Sequence, residues 1–260
     1  MSRILIFGPG YTASRIAAAL DGWRIVAIGR DRIGDAELVR AEIAAATHIL
    51  SSVPPDADAD PVLARYATLI AAAPARWIGY LSSTGVYGDT KGAWVDEGAP
   101  IGGGRRGARA AADGAWRTLH PEVRVFRLPG IYGPGRSALD RVRAGQAHRI
   151  DLPDQVFSRI HVDDIVAGVL ASMRQGPPGL FNLADDLPAS QNAVIERACD
   201  LLNQAWPPLS SLDDAELSPA AHAFYAENRR VANGKAKRLL GWRPRHPDFR
   251  AGLRAIMAEP

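Results

Sequence analysis

One cysteine, three lysines and no long apolar run narrow the chain before any motif does. The single cysteine, Cys199, excludes an intrachain disulfide framework and a cysteine-rich zinc site, and no metal is expected. No apolar run approaches the roughly 18 residues of a membrane helix, and the first residues lack a signal peptide's basic and apolar segments. The expectation is a cytoplasmic protein with no membrane partner. Basic residues outnumber acidic ones by 31 to 28, but they are scattered and never alternate with aromatics, so no nucleic-acid partner is expected. The small surplus would suit a phosphorylated ligand, but an arginine-rich composition with no partner implied is the better account of it. Apolar residues, by contrast, make up 47% of 260 positions, enough to fill one large α/β domain with a small appendage.

The stretch Arg3 to Leu20 carries the first signal. Ile4-Leu5-Ile6-Phe7 reads as a strand, Gly8-Pro9-Gly10-Tyr11-Thr12-Ala13 as a glycine turn, and Ile16, Ala17 and Leu20 as one face of a helix. Strand, tight turn and helix form the arrangement that places a pyrophosphate over a helix N-terminus. Gly8 permits the turn and Gly10 lets the backbone approach phosphates. Ala13 is small enough for helix and strand to pack closely. Tyr11 stands where it could stack near the pyrophosphate or simply pack.

Further strands are expected at 24–29, 47–51, 76–82, 122–128 and 179–183, with helices at 35–46, 62–73, 108–119, 163–173 and 191–202 between and after them. Nearly continuous apolar strands alternating with helices predict a doubly wound parallel sheet covered on both faces. Residues 1–132 read as this nucleotide-binding domain. Residues 133–260 are expected partly to complete the sheet and partly to form a small cap over the substrate crevice. Asp163 or Asp164 is the expected cap of its helix. Trp77, Trp94, Trp116 and Trp242 read as packing residues.

Ser82-Ser83-Thr84-Gly85-Val86-Tyr87-Gly88 follows the fourth strand, at the carboxyl edge of the sheet. Arg127-Leu128-Pro129-Gly130-Ile131-Tyr132-Gly133-Pro134, Ser158-Arg159-Ile160-His161-Val162-Asp163-Asp164 and Leu240-Gly241-Trp242-Arg243-Pro244 follow in order. With the glycine turn, this set resembles the extended short-chain dehydrogenase/reductase family, the NAD(P)-dependent epimerase/dehydratase group. The resemblance implies an NAD(P)-binding Rossmann fold. It implies cofactor contacts from Gly8, Gly10, Tyr11, Thr12, Ala13, Ser51, Ser52, Val53, Ser82, Pro129, Gly130 and Ile131. It also implies a catalytic Ser83 that hydrogen-bonds the reacting oxygen. Thr84, Arg106, Arg136 and Arg159 are the expected substrate contacts, for a small and anionic molecule. A homodimer is compatible with the resemblance.

The family's Tyr-x-x-x-Lys pair is missing. No tyrosine lies between Tyr87 and Tyr132, and no lysine between Lys91 and Lys235. Tyr87 and Lys91 match the spacing but belong to the serine motif, not to the following helix. Arg106, just before that helix, and Arg109, on it, cannot replace a general base, because arginine stays protonated. They could bind an anion or polarise a carbonyl. His161, Asp163, Tyr132 and Asp89 are the candidates for the proton work, although His161 reads more readily as a structural histidine at a strand end. At the end of the second strand, Gly29 stands where NAD-binding proteins place an acid, and Arg30 follows. That favours NADP(H) over NAD(H), with Asp31 turned to the ribose as the competing arrangement. Three functions remain open: an epimerase/dehydratase-like oxidoreductase with an altered site, a catalytically silent NADP(H) sensor, and a scaffold without nucleotide.

Overall fold

The first apolar run becomes β1 (Arg3–Phe7), and the other layers are placed by its two faces. In the computed structural model, which describes residues 2–56, 59–102, 107–215, 222 and 225–258, β1 lies between β3 and the edge strand β2 in a six-stranded parallel sheet. In chain order the elements of the first half are α1 (Tyr11–Ala18), β2 (Arg24–Ile28), α2 (Ala36–Ala45), β3 (His48–Ser51), α3 (Leu63–Ala71), β4 (Trp77–Ser83), β5 (Trp94–Val95), α4 (Gly107–Leu119) and β6 (Val123–Leu128). The second half holds β7 (Gly130–Tyr132), α5 (Ala138–Arg143), β8 (Arg149–Ile150), β9 (Arg159–His161), α6 (Val162–Arg174), β10 (Gly179–Asn182), α7 (Gln191–Leu202), β11 (Leu209–Ser210) and β12 (Arg230–Val231). Two last helices span Gly234–Leu239 and Phe249–Ala258. The sheet runs β10-β6-β4-β3-β1-β2, so β10 from the second half supplies its sixth strand.

Alternate side chains of β1 enter opposite cores, as a strand's period of two requires. Ile4 and Ile6 pack with Ala13 and Ile16 of α1 and with Ile165 and Val169 of α6. Leu5 and Phe7 pack with Val39 and Ile43 of α2, Tyr66 of α3 and Trp116 of α4. The doubly wound arrangement expected from the apolar runs is therefore present. Because β1 is flanked by β2 on one side and β3 on the other, a crevice opens over their carboxyl ends. No helix among the described residues is long and apolar enough to cross a membrane.

The cap is held by pairings too short to give a periodic signal. β7 pairs with β9, β8 with β11 and β5 with β12, all parallel. The last pair places residues 230–231 against the loop after the serine motif. Trp94 lies on β5 with 59% of its surface exposed, so it is not the packing residue that was expected; Trp77, Trp116 and Trp242 are buried. The cap of α6 is also different. His161 takes that position, its side chain accepting from the Asp163 N–H. Asp164 instead accepts from the Arg245 and His246 N–H groups and folds the C-terminal segment onto α6.

Beneath the crevice floor lies a buried ion pair. Asp113 of α4 receives Arg127 Nη2 at 2.6 Å and Nε at 3.0 Å, and Ser82 Oγ donates to it at 2.6 Å. Arg127 Nη1 donates to the Tyr87 hydroxyl at 3.0 Å, which donates to Asn182 Oδ1 at 2.8 Å. The Asn182 N–H donates to Glu97 Oε1 at 2.7 Å. One network thus joins β4, α4, β6, β10 and the loop after β5. Asp113→Asn keeps the shape but leaves the buried guanidinium without its counter-ion. It is expected to cost about 3–5 kcal/mol. A urea unfolding midpoint equal to that of the wild type would show that the pair does not hold the floor.

Candidate active site

The glycine turn supplies the first wall of the crevice. Gly8 has a left-handed φ of 75°, and a Cβ there would lie 2.8 Å from Val53 Cγ2. Only glycine fits this bend. The chain then turns through Gly10, whose N–H bonds the Gly8 carbonyl at 2.7 Å, and enters α1 with no side-chain cap and no acid in its first turn. A Cβ on Gly10 would meet nothing within 4 Å. The first N–H groups of α1 are thus left to a ligand, the electrostatic setting that favours an anion. Ser51, at the end of β3, is buried with its Oγ lacking a hydrogen-bond partner. The cradle and this orphaned hydroxyl are what a dinucleotide's pyrophosphate and ribose would use, so the residues fit such a cofactor.

A cavity of about 510 Å³ opens from this turn. Tyr11, Thr12 and Ser52 line one side, Ser82, Ser83 and Thr84 another, and Pro129, Gly130 and Ile131 the floor after β6. Phe157, Ser158, Glu227 and Arg229 close it from the cap. Ser83 is half-buried, and its Oγ accepts the Gly85 N–H at 3.1 Å, which aims the serine motif along the cavity edge. Tyr11 donates its hydroxyl to the Pro134 carbonyl at 3.1 Å. The Arg15 guanidinium lies 3.9 Å from the centre of its ring and that of Arg136 5.6 Å. A second cavity, about 770 Å³, shares Gly130, Ile131, Arg136, Phe157 and Ser158 with the first and extends to Arg141, His148 and Tyr225.

Most residues named from the sequence meet here. Val53 packs against Gly8, and Ala13 is buried under α1. Arg30 is exposed beyond β2 and outside the lining of either cavity, while Asp31 folds its carboxylate back over Gly29. Arg106 lies outside the described residues. Arg159 lines only the second cavity. Its Nη1 donates to the Phe157 and Ala189 carbonyls and its Nη2 to the Ser190 carbonyl and Gln191 Oε1, so it braces the cap. The residues that sequence reasoning did not select as site residues are Arg109, Phe157, Ser158, Glu227 and Arg229. Arg109 was recognisable only as lying on the right helix.

The four candidate proton carriers all lie off the first cavity. His161 is buried, with its ring 4.0 Å from that of His246 and edge-on to Tyr132. Burial, helped by His246, lowers its pKa to about 4 and keeps it neutral. It is the structural histidine of the two readings. Tyr132 donates to the Asp248 carbonyl at 3.4 Å. Asp163 lies half-exposed beside His161. Asp89 closes a turn by accepting the Lys91 and Asn228 N–H groups. Tyr87 is engaged in the Arg127 network, which removes the Tyr87–Lys91 match from consideration as a catalytic pair.

No protein-family model matches the chain. A functionally unknown conserved protein from Silicibacter pomeroyi is 42% identical, with 99% of each chain covered and a TM-score of 0.89. dTDP-glucose 4,6-dehydratase of Bacillus anthracis, solved with NAD, is 17% identical over 98% of this chain and 95% of that one, with a TM-score of 0.80. A Streptomyces protein named 3-diazoavenalumate denitrifying reductase is 33% identical over 143 residues; the match spans 50% of this chain and 45% of that reductase. The fold is that of the NAD-dependent epimerases and dehydratases, the extended short-chain dehydrogenase/reductase type. Within it, the chain belongs to the same family as the Silicibacter pomeroyi protein.

Asp185, just after β10, is buried with neither carboxylate oxygen hydrogen-bonded. Burial pushes its pKa up from 3.8 to about 8, against the opposing pull of Arg159. The folded state therefore holds a proton that the unfolded chain releases, and stability falls as pH rises from about 4 toward 8. Asp185→Asn is expected to raise Tm by about 5 °C or more near pH 8 and to change it little near pH 4. Equal shifts at both pH values would show that the carboxyl is not held protonated.

Proposed function

We propose that the chain is an NADP(H)-dependent oxidoreductase acting on a small anionic substrate. The observation that carries this reading is the uncapped α1 N-terminus behind Gly8 and Gly10, opening into one cavity with Ser83. Gly8, Gly10, Tyr11, Thr12 and Ala13 would hold the pyrophosphate, and Ser51, Ser52 and Val53 the adenosine side. Ser82, Pro129, Gly130 and Ile131 would border the nicotinamide. Bound there, the cofactor supplies or accepts a hydride. Ser83 donates its hydroxyl hydrogen to the reacting oxygen, and Thr84 and Arg136 orient the substrate. Arg30 would bind the 2′-phosphate by a guanidinium fork, with the Asp31 carboxylate that lies over Gly29 turned away from it. The name of the Streptomyces relative supports the reductive direction.

A second reading, a silent NADP(H) sensor, is favoured by the absence of lysine and histidine from the described lining of the first cavity. Turnover of any substrate that is lost in Ser83→Ala decides for the enzyme. For the cofactor, titration by nucleotide fluorescence is expected to show tighter binding of NADPH than of NADH. Arg30→Ala is expected to reduce that preference about tenfold, near 1.4 kcal/mol. An unchanged ratio would end the proposal for Arg30.

A further inference from the structure

The described lining of the first cavity holds few ionisable groups. They are Tyr11, Glu227 and three arginines, Arg109, Arg136 and Arg229. Tyr11 donates to a backbone carbonyl under two guanidinium groups at the α1 end. Glu227 receives Arg229 Nη1 at 2.7 Å, and the same nitrogen donates to the Gly88 carbonyl. Arg136 stands beside Tyr11.

Arg109 is placed differently. Neither it nor Arg136 ion-pairs with a carboxylate among the described residues, but Arg136 is exposed, whereas Arg109 is half-buried on α4 and lines the cavity with Ser83 and Thr84. Its Nη1 reaches the Tyr80 hydroxyl only at 3.4 Å. Asp113, one helical turn on, is the natural partner at that spacing. Its carboxylate is taken by Arg127 and Ser82 instead. The buried pair below the floor thus leaves a free cation at the cavity wall.

An arginine holds negative charge at every working pH but neither gives nor takes a proton. We infer that Arg109 is the charge-stabilising catalytic residue. The reaction it serves is reduction of an acceptor that takes a hydride without a side-chain proton: a conjugated carbonyl compound. This rests on the dinucleotide reading above. In the step, a C–H bond forms on the acceptor and a C=C π bond breaks. The hydride comes from the reduced nicotinamide, which is left oxidised; the displaced electron pair settles on the carbonyl oxygen against Arg109, and a proton from water completes the product. The reverse, oxidation of a hydroxyl, needs a base for the O–H proton as hydride leaves. The described lining offers only Glu227 and Tyr11 for that; Glu227 is held by Arg229, and Tyr11 already donates its hydroxyl to the Pro134 carbonyl.

Two measurements test this. 4-Nitrophenol, whose ionised form absorbs visibly, reads the charge of the wall with no cofactor present. The wild type is expected to bind the phenolate and lower the apparent pKa of the bound probe, Arg109→Gln to abolish the shift and Arg109→Lys to keep part of it. An unshifted probe in the wild type overturns the role of Arg109. Turnover is then followed with NADPH plus 2-cyclohexenone or menadione, and with NADP+ plus cyclohexanol or UDP-glucose. Reduction is expected at a rate independent of pH from about pH 6 to 10, falling about 100-fold or more in Arg109→Gln. Neither hydroxyl compound is expected to be oxidised. Bound NADPH that reduces neither acceptor, a rate with a titrating limb that Glu227→Gln removes, or oxidation of either hydroxyl compound overturns the inference. Failure to bind NADPH, read by its fluorescence, overturns the dinucleotide reading and the hydride chemistry with it; the nitrophenolate result judges Arg109 separately.

Discussion

The Asp113–Arg127 pair is the interaction on which the site depends. It is a buried charge pair whose remaining valences are filled by Ser82 and Tyr87, and it ties helix α4 to three strands of the sheet. A buried pair of this kind adds little net stability over an apolar replacement, because desolvation offsets most of the attraction. Its value here is positional. It fixes Ser82, and so the serine that follows. It also removes the one carboxylate that α4 could have offered to Arg109.

The parallel sheet was readable from the sequence because strands buried on both faces are written as unbroken apolar runs. Ile4 to Phe7 and Val123 to Leu128 are examples, and their boundaries fall within a residue or two of expectation. The cap was not readable in the same way. Strands of two residues such as Arg149–Ile150 and Leu209–Ser210 have no period, and their partners lie far along the chain. Side-chain direction was also hidden. Arg159 and His161 sit in a stretch that resembles a crevice motif, yet the first turns to backbone carbonyls and the second against another histidine. Arg109 gains its meaning only from Asp113 being occupied by a residue on a different strand, which no local pattern conveys.

A glycine turn and a hydroxyl-rich edge share a cavity whose described lining carries Arg109, Arg136 and Arg229 as its fixed positive charge. Such a wall differs from an acid/base pair in what it can discriminate. It responds to where negative charge accumulates in a substrate, and not to how acidic that substrate is.

The pairing of β12 with β5 also sets the order in which the cavity can be completed during synthesis. Residues 8–13 leave the ribosome well before residues 227–231 and can join the sheet early. The wall formed by Glu227 and Arg229 exists only after that later segment has emerged. Contacts so distant in sequence form late, because closing a long loop must precede any gain from them. A nascent chain stopped before residue 227 would carry the glycine turn and the serine edge with that wall still open, so the end of the cavity nearest the turn is older, within each molecule's own history, than the end that closes it.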